Sequence, residues 1–335
     1  MTLDLPFIWA GLIAFAVLAY VVLDGFDLGV GILFPFAKIS HDRDIMMNSV
    51  APMWDGNETW LVLGGGGLLA VFPLAYSIVL PALYVPLMAM LLALVLRGVA
   101  FEFRWHTKRG QFLWDWAFIG GSTIAALAQG LAVGALVQGI PMAGRAYAGG
   151  WWDWLTPFSI LTSIAVVMGY ALLGSTWLIL KTEGALQERS RLQAYFTGVA
   201  TLILIGLVSQ WTPFLRPEYF ARWFAWPTMI FSFIVPLLVA ACAYGLYTGL
   251  RDKRDLMPFI SALGIFVLCF VGLGISFYPN IVPPALSIWD AAAPDKSLAF
   301  LLVGTVVLVP LILIYTAYSY WVFWGKVNPD EGYHL

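Results

Sequence analysis

The stretch TWLVLGGGGLLAVFPLAYSIVLPALYVPLMAMLLALVL, residues 59–96, runs for 38 residues without an Asp, Glu, Lys or Arg. As one helix it would be ~57 Å long at ~1.5 Å per residue, nearly twice the ~30 Å thickness of a bilayer's hydrocarbon core. It must therefore fold back, and the prolines from Pro73 to Pro81 mark the place, so the run is expected to supply two spans. Seven further charge-free intervals lie at 5–23, 116–144, 154–180, 192–215, 223–250, 256–289 and 297–325. A charge at the bilayer centre costs several kcal/mol, so such gaps are the natural spans. The second half of 256–289, YPNIVPPALSIW, is proline-rich and is expected to be an extramembrane loop. The reading is an all-α polytopic membrane protein of about nine transmembrane helices in bundles, one domain over residues 1–335.

Composition agrees with a bilayer as solvent: 61% of the 335 residues are hydrophobic, 16% aromatic and only 11% charged, with a mean hydropathy of +0.86. A net charge of −2 and Lys and Arg confined to short segments between apolar runs exclude a nucleic-acid surface. Placing the N-terminus on the periplasmic side and the C-terminus in the cytoplasm leaves thirteen of the 17 Lys and Arg inside, with Arg145, Arg216, Arg222 and Lys296 outside. The first run lacks a basic leader and a small-residue cleavage site, so it is expected to stay as a span. Tryptophans 114, 116, 151, 152, 154, 223, 226, 321 and 324 sit at run ends and read as interfacial anchors. GFDLG (25–29), GLAVG (130–134) and GLYTG (245–249) offer small residues for close helix approach. Cys242 and Cys269 lie in apolar runs and read as packing residues.

The acids of the first third carry the chemistry. Asp24 and Asp27 are one turn apart in LDGFDLG, and Asp55 and Glu58 repeat that spacing in WDGNETW, so each pair is expected to line one helix face. Arg97 is the one cation within a nearby run. If the three helices pack together, four carboxylates meet one guanidinium and cannot all be paired. Several left ionised in lipid would cost roughly 10 kcal/mol, which drives them inward, toward water, or into the protonated form. Each outcome suits a proton or cation path; the plainer alternative is that the acids are solvated at the interface and Asp55 only caps its helix.

Other chemistries find no apparatus. His41, His106 and His334 fall in expected cytoplasmic loops or the tail, and span methionines such as Met88, Met90, Met168 and Met229 lack a histidine partner, so the chain is expected to hold no haem iron. GGGG at 64–67 follows no strand and precedes no Lys-Ser or Lys-Thr, which makes it a packing or hinge element. No nucleophile stands beside a base.

With LDGFDLGVG (23–31), IMMNSVAPMWDGNETWLV (45–62), LRGVAFEFR (96–104) and FYPNIVPPALSIWDAAAPDKSL (277–298) in hand, the sequence resembles subunit II of the cytochrome bd-type quinol oxidases, including their cyanide-insensitive branch. The motifs stand in that family's order and spacing along essentially the whole chain. The resemblance implies a heterodimeric oxidase of the bacterial inner membrane that oxidises quinol and reduces dioxygen to water. It implies that subunit I carries b-type haems and a d-type or substituted haem, and that subunit II binds no cofactor or metal and has no catalytic residue of its own. It also implies a proton path from the cytoplasm through Asp24, Asp27, Asp55, Glu58 and Arg97, with Glu102 as a gate beside Arg97. A structural quinone and a small accessory membrane subunit are compatible with it, though the residues carry no signature of either. The competing reading is a proton- or cation-coupled secondary transporter, which needs inward-facing acids and glycine-broken helices but also a site near the midplane; a purely structural scaffold is the third.

Overall fold

The computed structural model describes residues 3–107 and 109–328, so the expectations for Lys108 and His334 lie outside the described residues. The chain folds into α1 (Leu5–Leu33), α2 (Ser40–Asn48), α3 (Trp54–Val71), α4 (Pro73–Ala82), α5 (Tyr84–His106), α6 (Gln111–Gln138), α7 (Pro157–Lys181), α8 (Gly184–Leu215), α9 (Pro217–Phe224), α10 (Met229–Arg251), α11 (Leu256–Phe277), α12 (Ile288–Ala291) and α13 (Asp295–Val322). Two antiparallel pairs, β1 (Met142–Ala143) with β2 (Ala146–Tyr147) and β3 (Asn280–Val282) with β4 (Leu286–Ser287), occupy the loops after α6 and α11.

Eight of the described helices are long and apolar enough to cross a membrane, and the broken pair of α3 and α4 makes a ninth candidate. The long uncharged run folds back as its length demands. Its helix breaks at Phe72, α4 leaves at 120° to α3, and α5 returns. YPNIVPPALSIW forms the β3–β4 hairpin and the start of α12 rather than a further span.

Helix starts follow local chemistry. Asp4 accepts the Phe7 amide at 3.1 Å ahead of α1. Thr156 and Ser159 exchange side-chain bonds with each other's backbone amides at 3.1 and 2.8 Å, with Pro157 as the first residue of α7. Gly139, at φ +86°, ends α6 in the left-handed region, and the Arg216 guanidinium fills the space beside it while donating to the Gln138 carbonyl at 2.7 Å.

The three small-residue motifs all mark helix crossings. A Cβ on Gly29 would lie 1.8 Å from the Tyr170 carbonyl oxygen, and one on Gly174 would lie 2.3 Å from the Gly29 carbonyl carbon, so α1 and α7 touch backbone to backbone. Gly130 and Gly134 bring α6 onto Ser163 and Ser159 of α7, and Gly245 and Gly249 bring α10 onto Ser261 and Pro258 of α11. The central helix is α7, with 67% of its most apolar window buried; α13, at 6%, is peripheral.

Polar contacts hold the loops together at each end. At the end bearing Leu5, the Trp289 indole donates to Asp4 and the Ala293 amide to the Val71 carbonyl. At the other end Arg189 pairs with Asp42, and the tail after α13 is clamped to α7. Lys326 Nζ donates to the Ile179 and Thr182 carbonyls and to Asp255, and the Val327 amide donates to Lys181. Partial burial pushes the Asp255 carboxyl up, but hydrogen bonds and charge from Lys326 and Arg191 outweigh it and hold the group below its ordinary value. A depressed carboxyl stabilises the clamp above its unfolded value and loses that contribution as pH falls through the lowered one. Lys326→Met is therefore expected to speed amide exchange over residues 323–328 at neutral pH, whereas the parent clamp loosens only on strong acidification; hydrogen-exchange mass spectrometry checks both.

Of the tryptophan anchors, Trp116, Trp151, Trp152, Trp226, Trp321 and Trp324 are exposed. Trp154 is a correction: it is buried, donates to the Trp151 carbonyl at 2.9 Å, and belongs to the hydrophobic core near the β1–β2 hairpin.

Candidate functional site

Asp24 lies nine residues before the end of α1, about 13 Å along its axis. Arg97 stands as far from the end of α5. Both side chains are completely enclosed. Gly121 of α6 makes room for Arg97, since a Cβ there would meet the Ala93 carbonyl at 2.6 Å and the Arg97 backbone at 3.0 Å. The turn at residues 49–53, with Val50, Ala51 and Met53 buried, carries the chain inward before α3 begins, which brings the first turns of α3 alongside these two residues.

The guanidinium organises three acids. Its Nη1 donates to Asp24 Oδ1 at 2.7 Å and lies 3.4 Å from Glu58 Oε1, and its Nη2 is 3.8 Å from Asp27 Oδ2. The Phe101 ring packs 5.8 Å from the same group and stacks on Trp54. Asn57 completes the cluster: its Nδ2 donates to Asp27 Oδ2 at 2.7 Å and to the Leu23 carbonyl at 3.3 Å, while its Oδ1 accepts from Tyr320 of α13 at 3.0 Å. On the other side Gln129 donates to the Tyr20 hydroxyl at 2.8 Å and accepts from Tyr170 at 2.6 Å.

One positive and three negative charges thus share an enclosed site, a formal −2. Asp24 Oδ2, Asp27 Oδ1, Arg97 Nε and Arg97 Nη2 make no hydrogen bond. Unpartnered buried polar atoms cost about 1–3 kcal/mol each, so the cluster is not arranged for maximal stability.

Two expectations are corrected here. Asp55 does not join the guanidinium. It is exposed in the first turn of α3, so the Asp55–Glu58 pair does not lie on one enclosed face: Glu58 turns inward, at 22% side-chain exposure, and Asp55 outward. Nor does Asp55 cap the helix by hydrogen bonding, because Met53 holds the N-cap position and no side-chain cap bond forms there. Glu102 is also exposed, five residues from Arg97 and so ~140° around α5 from it, which takes it away from the cluster.

The enclosed partner on α5 is Arg104. Its Nε donates to Asp115 Oδ1 at 2.6 Å and its Nη1 to Asp44 Oδ1 at 2.7 Å, while Arg43 reaches Asp115 Oδ2 at 3.0 Å. Arg97 and Arg104 are seven residues apart, two turns along one face, a spacing visible in LRGVAFEFR. Between the two arginines lies an aromatic layer in which Phe118 meets both Phe101 and Phe34 edge-on. The described histidines, His41 and His106, are exposed near the loops at this end of the bundle.

Comparison with known proteins identifies the family. The family model for cytochrome bd terminal oxidase subunit II matches residues 5–323. The cytochrome bd-I ubiquinol oxidase subunit 2 of Escherichia coli (strain K12) is 31% identical, over 98% of this chain and 96% of the relative. The cytochrome bd ubiquinol oxidase subunit 2 of Bacillus subtilis (strain 168) is 30% identical, over 97% of each. In fold, the chain is similar to one in the bd oxidase of Geobacillus thermodenitrificans, with a TM-score of 0.73 at 17% identity, covering 96% of this chain and 99% of that one. The chain therefore belongs to the subunit II family of the cytochrome bd terminal oxidases, multi-span respiratory oxidoreductase subunits of the bacterial inner membrane.

Proposed function

We propose that this chain is the haem-free half of a complex that oxidises quinol and reduces dioxygen to water, with the haems in subunit I, and that it delivers protons to that reaction from the cytoplasmic side. The observation that carries the reading is the graded row of ionisable groups: Asp55 exposed, Glu58 partly enclosed, then Arg97 with Asp24 and Asp27 fully enclosed. Reduction of dioxygen consumes protons at a buried centre, and carboxylates are workable stations through a low-dielectric wall. The excess of Lys and Arg in the loops at the Arg104 end supports placing that end in the cytoplasm. Uptake from that side would build membrane potential as electrons arrive from quinol.

In this reading Asp55 gathers protons and Glu58 receives them. Arg97 bonds Asp24 and stands beside Asp27 and Glu58, offsetting part of their charge, and the peripheral helix α13 closes the cluster through Tyr320. The complex carrying Asp55→Asn is expected to keep its haems and both subunits and to lose at least roughly tenfold in quinol-driven oxygen consumption, equivalent to about 1.4 kcal/mol in the rate-limiting barrier. Retained turnover with retained haem would reduce the subunit to a structural partner.

A further inference from the structure

The three acids around Arg97 are not held alike. The Asn57 amide is fully engaged: both N–H groups donate, to Asp27 and to the Leu23 carbonyl, and its oxygen accepts from Tyr320. It cannot turn over without losing all three bonds, so it can present only a donor to Asp27. Asp24 is held differently, by the Arg97 Nη1 donor at 2.7 Å from its Oδ1. Asp27 thus stands at the end of a tyrosine–amide chain whose donor points toward it, and Asp24 stands against the guanidinium. Donors aimed at a carboxylate favour its charged form.

Glu58 has no such chain. Its contact in the cluster is Arg97 Nη1 at 3.4 Å, and it is the one acid of the three with exposed side-chain surface. The charged groups around it are Arg97 from α5, Asp24 and Asp27 from α1, and Asp55 from its own helix, with the phenols of Tyr20 and Tyr320 beyond the aspartates. One proton entering this site of formal charge −2 relieves part of the repulsion.

We propose that the exchangeable proton of the cluster resides on Glu58, while the Tyr320–Asn57 chain holds Asp27, and the Arg97 guanidinium holds Asp24, as fixed acceptors. Protonation converts the Glu58 carboxylate to the acid and takes the site from −2 to −1, and release to the next acceptor restores it. Asn57 and Tyr320 are positioning residues in this scheme. The inference rests on the proton path proposed above, but it concerns which group carries the proton rather than whether turnover needs it.

Infrared difference spectroscopy of the purified, haem-replete complex titrated with pH tests it. A protonated-carboxyl C=O stretch that titrates in the parent is expected to vanish in Glu58→Gln and to return, shifted, in Glu58→Asp. Asn57→Leu removes the amide donor to Asp27, so it is expected to add a second titrating C=O band, from Asp27. A band that survives Glu58→Gln overturns the assignment, and an Asn57→Leu spectrum identical to the parent overturns the fixed-acceptor role of Asp27. If Glu58→Gln loses the band yet consumes oxygen at the parental rate, the proton is on Glu58 and the proposed path is what fails.

Discussion

Replacing Arg97 with leucine is expected to prevent recovery of an assembled oxidase. The guanidinium is the one cation among three acids, and its removal leaves up to three negative charges in an enclosed site. Breaking a single buried ion pair by deleting one partner costs about 3–5 kcal/mol, a large fraction of a typical 5–15 kcal/mol stability. The cluster loses its bond to Asp24 and its attraction to Asp27 and Glu58 at once. Arg97→Lys is expected to be milder yet still defective, because a single ammonium cannot reproduce a planar fork that faces Asp24 with one nitrogen and Asp27 with the other. Subunit content, haem spectrum and Tm of the detergent-solubilised complex measure both. Were these acids solvated at the interface, as an exposed pair would be, the same change would cost at most about 1 kcal/mol.

The second large effect comes from glycine. Gly29→Leu is expected to drive α1 from α7, since even its Cβ would lie 1.8 Å from the Tyr170 carbonyl oxygen and 2.7 Å from the Gly174 amide nitrogen. Backbone stands on both sides of the contact, so no rotamer change relieves it. The cost is expected at or above the upper end of the ~1–3 kcal/mol usual for overpacking. The displacement would travel up α1 to Asp27, two residues away, and to Asp24. Gly65→Ala and Gly66→Ala are the controls: no atom lies within 4 Å of a Cβ built at either position. They are expected to change stability by no more than about 1 kcal/mol, in the stabilising direction because alanine favours helix over glycine. Thermal unfolding of the three variants separates the crossing glycine from the permissive ones.

That contrast shows what kind of information the sequence held. Run length and charge spacing located the spans and forced the turn after Phe72, because bilayer thickness fixes how much helix can cross. Small-residue spacing located the crossings of α1, α6 and α10 for the same kind of reason: close approach leaves no alternative residue. The inward acids were legible because a buried charge must find a partner, and Arg97 was the cation in reach.

What escaped was rotation. Whether Asp55 or Glu58 faces Arg97 depends on where α3 begins, and that depends on the buried turn at 49–53 rather than on the WDGNETW motif itself. The Arg104–Asp115–Asp44–Arg43 network needed three separate segments to converge, and only the seven-residue spacing of Arg97 and Arg104 hinted at it. The amides Asn57 and Gln129 carried no visible signal, since an amide among apolar residues gains meaning only from the groups it bonds. Trp154 was misplaced because a tryptophan at the end of an apolar run reads the same whether it meets headgroups or folds under its own loop.

The central claim is that protons for dioxygen reduction pass through the acids of this subunit. The most direct test is proton uptake by the fully reduced complex after mixing with dioxygen, followed by a pH-indicator dye in the parent and in Asp55→Asn and Glu58→Gln complexes of equal haem content. Slowed uptake in both variants, with electron transfer from quinol slowed to match, is the predicted result; uptake at the parental rate in both would contradict the account.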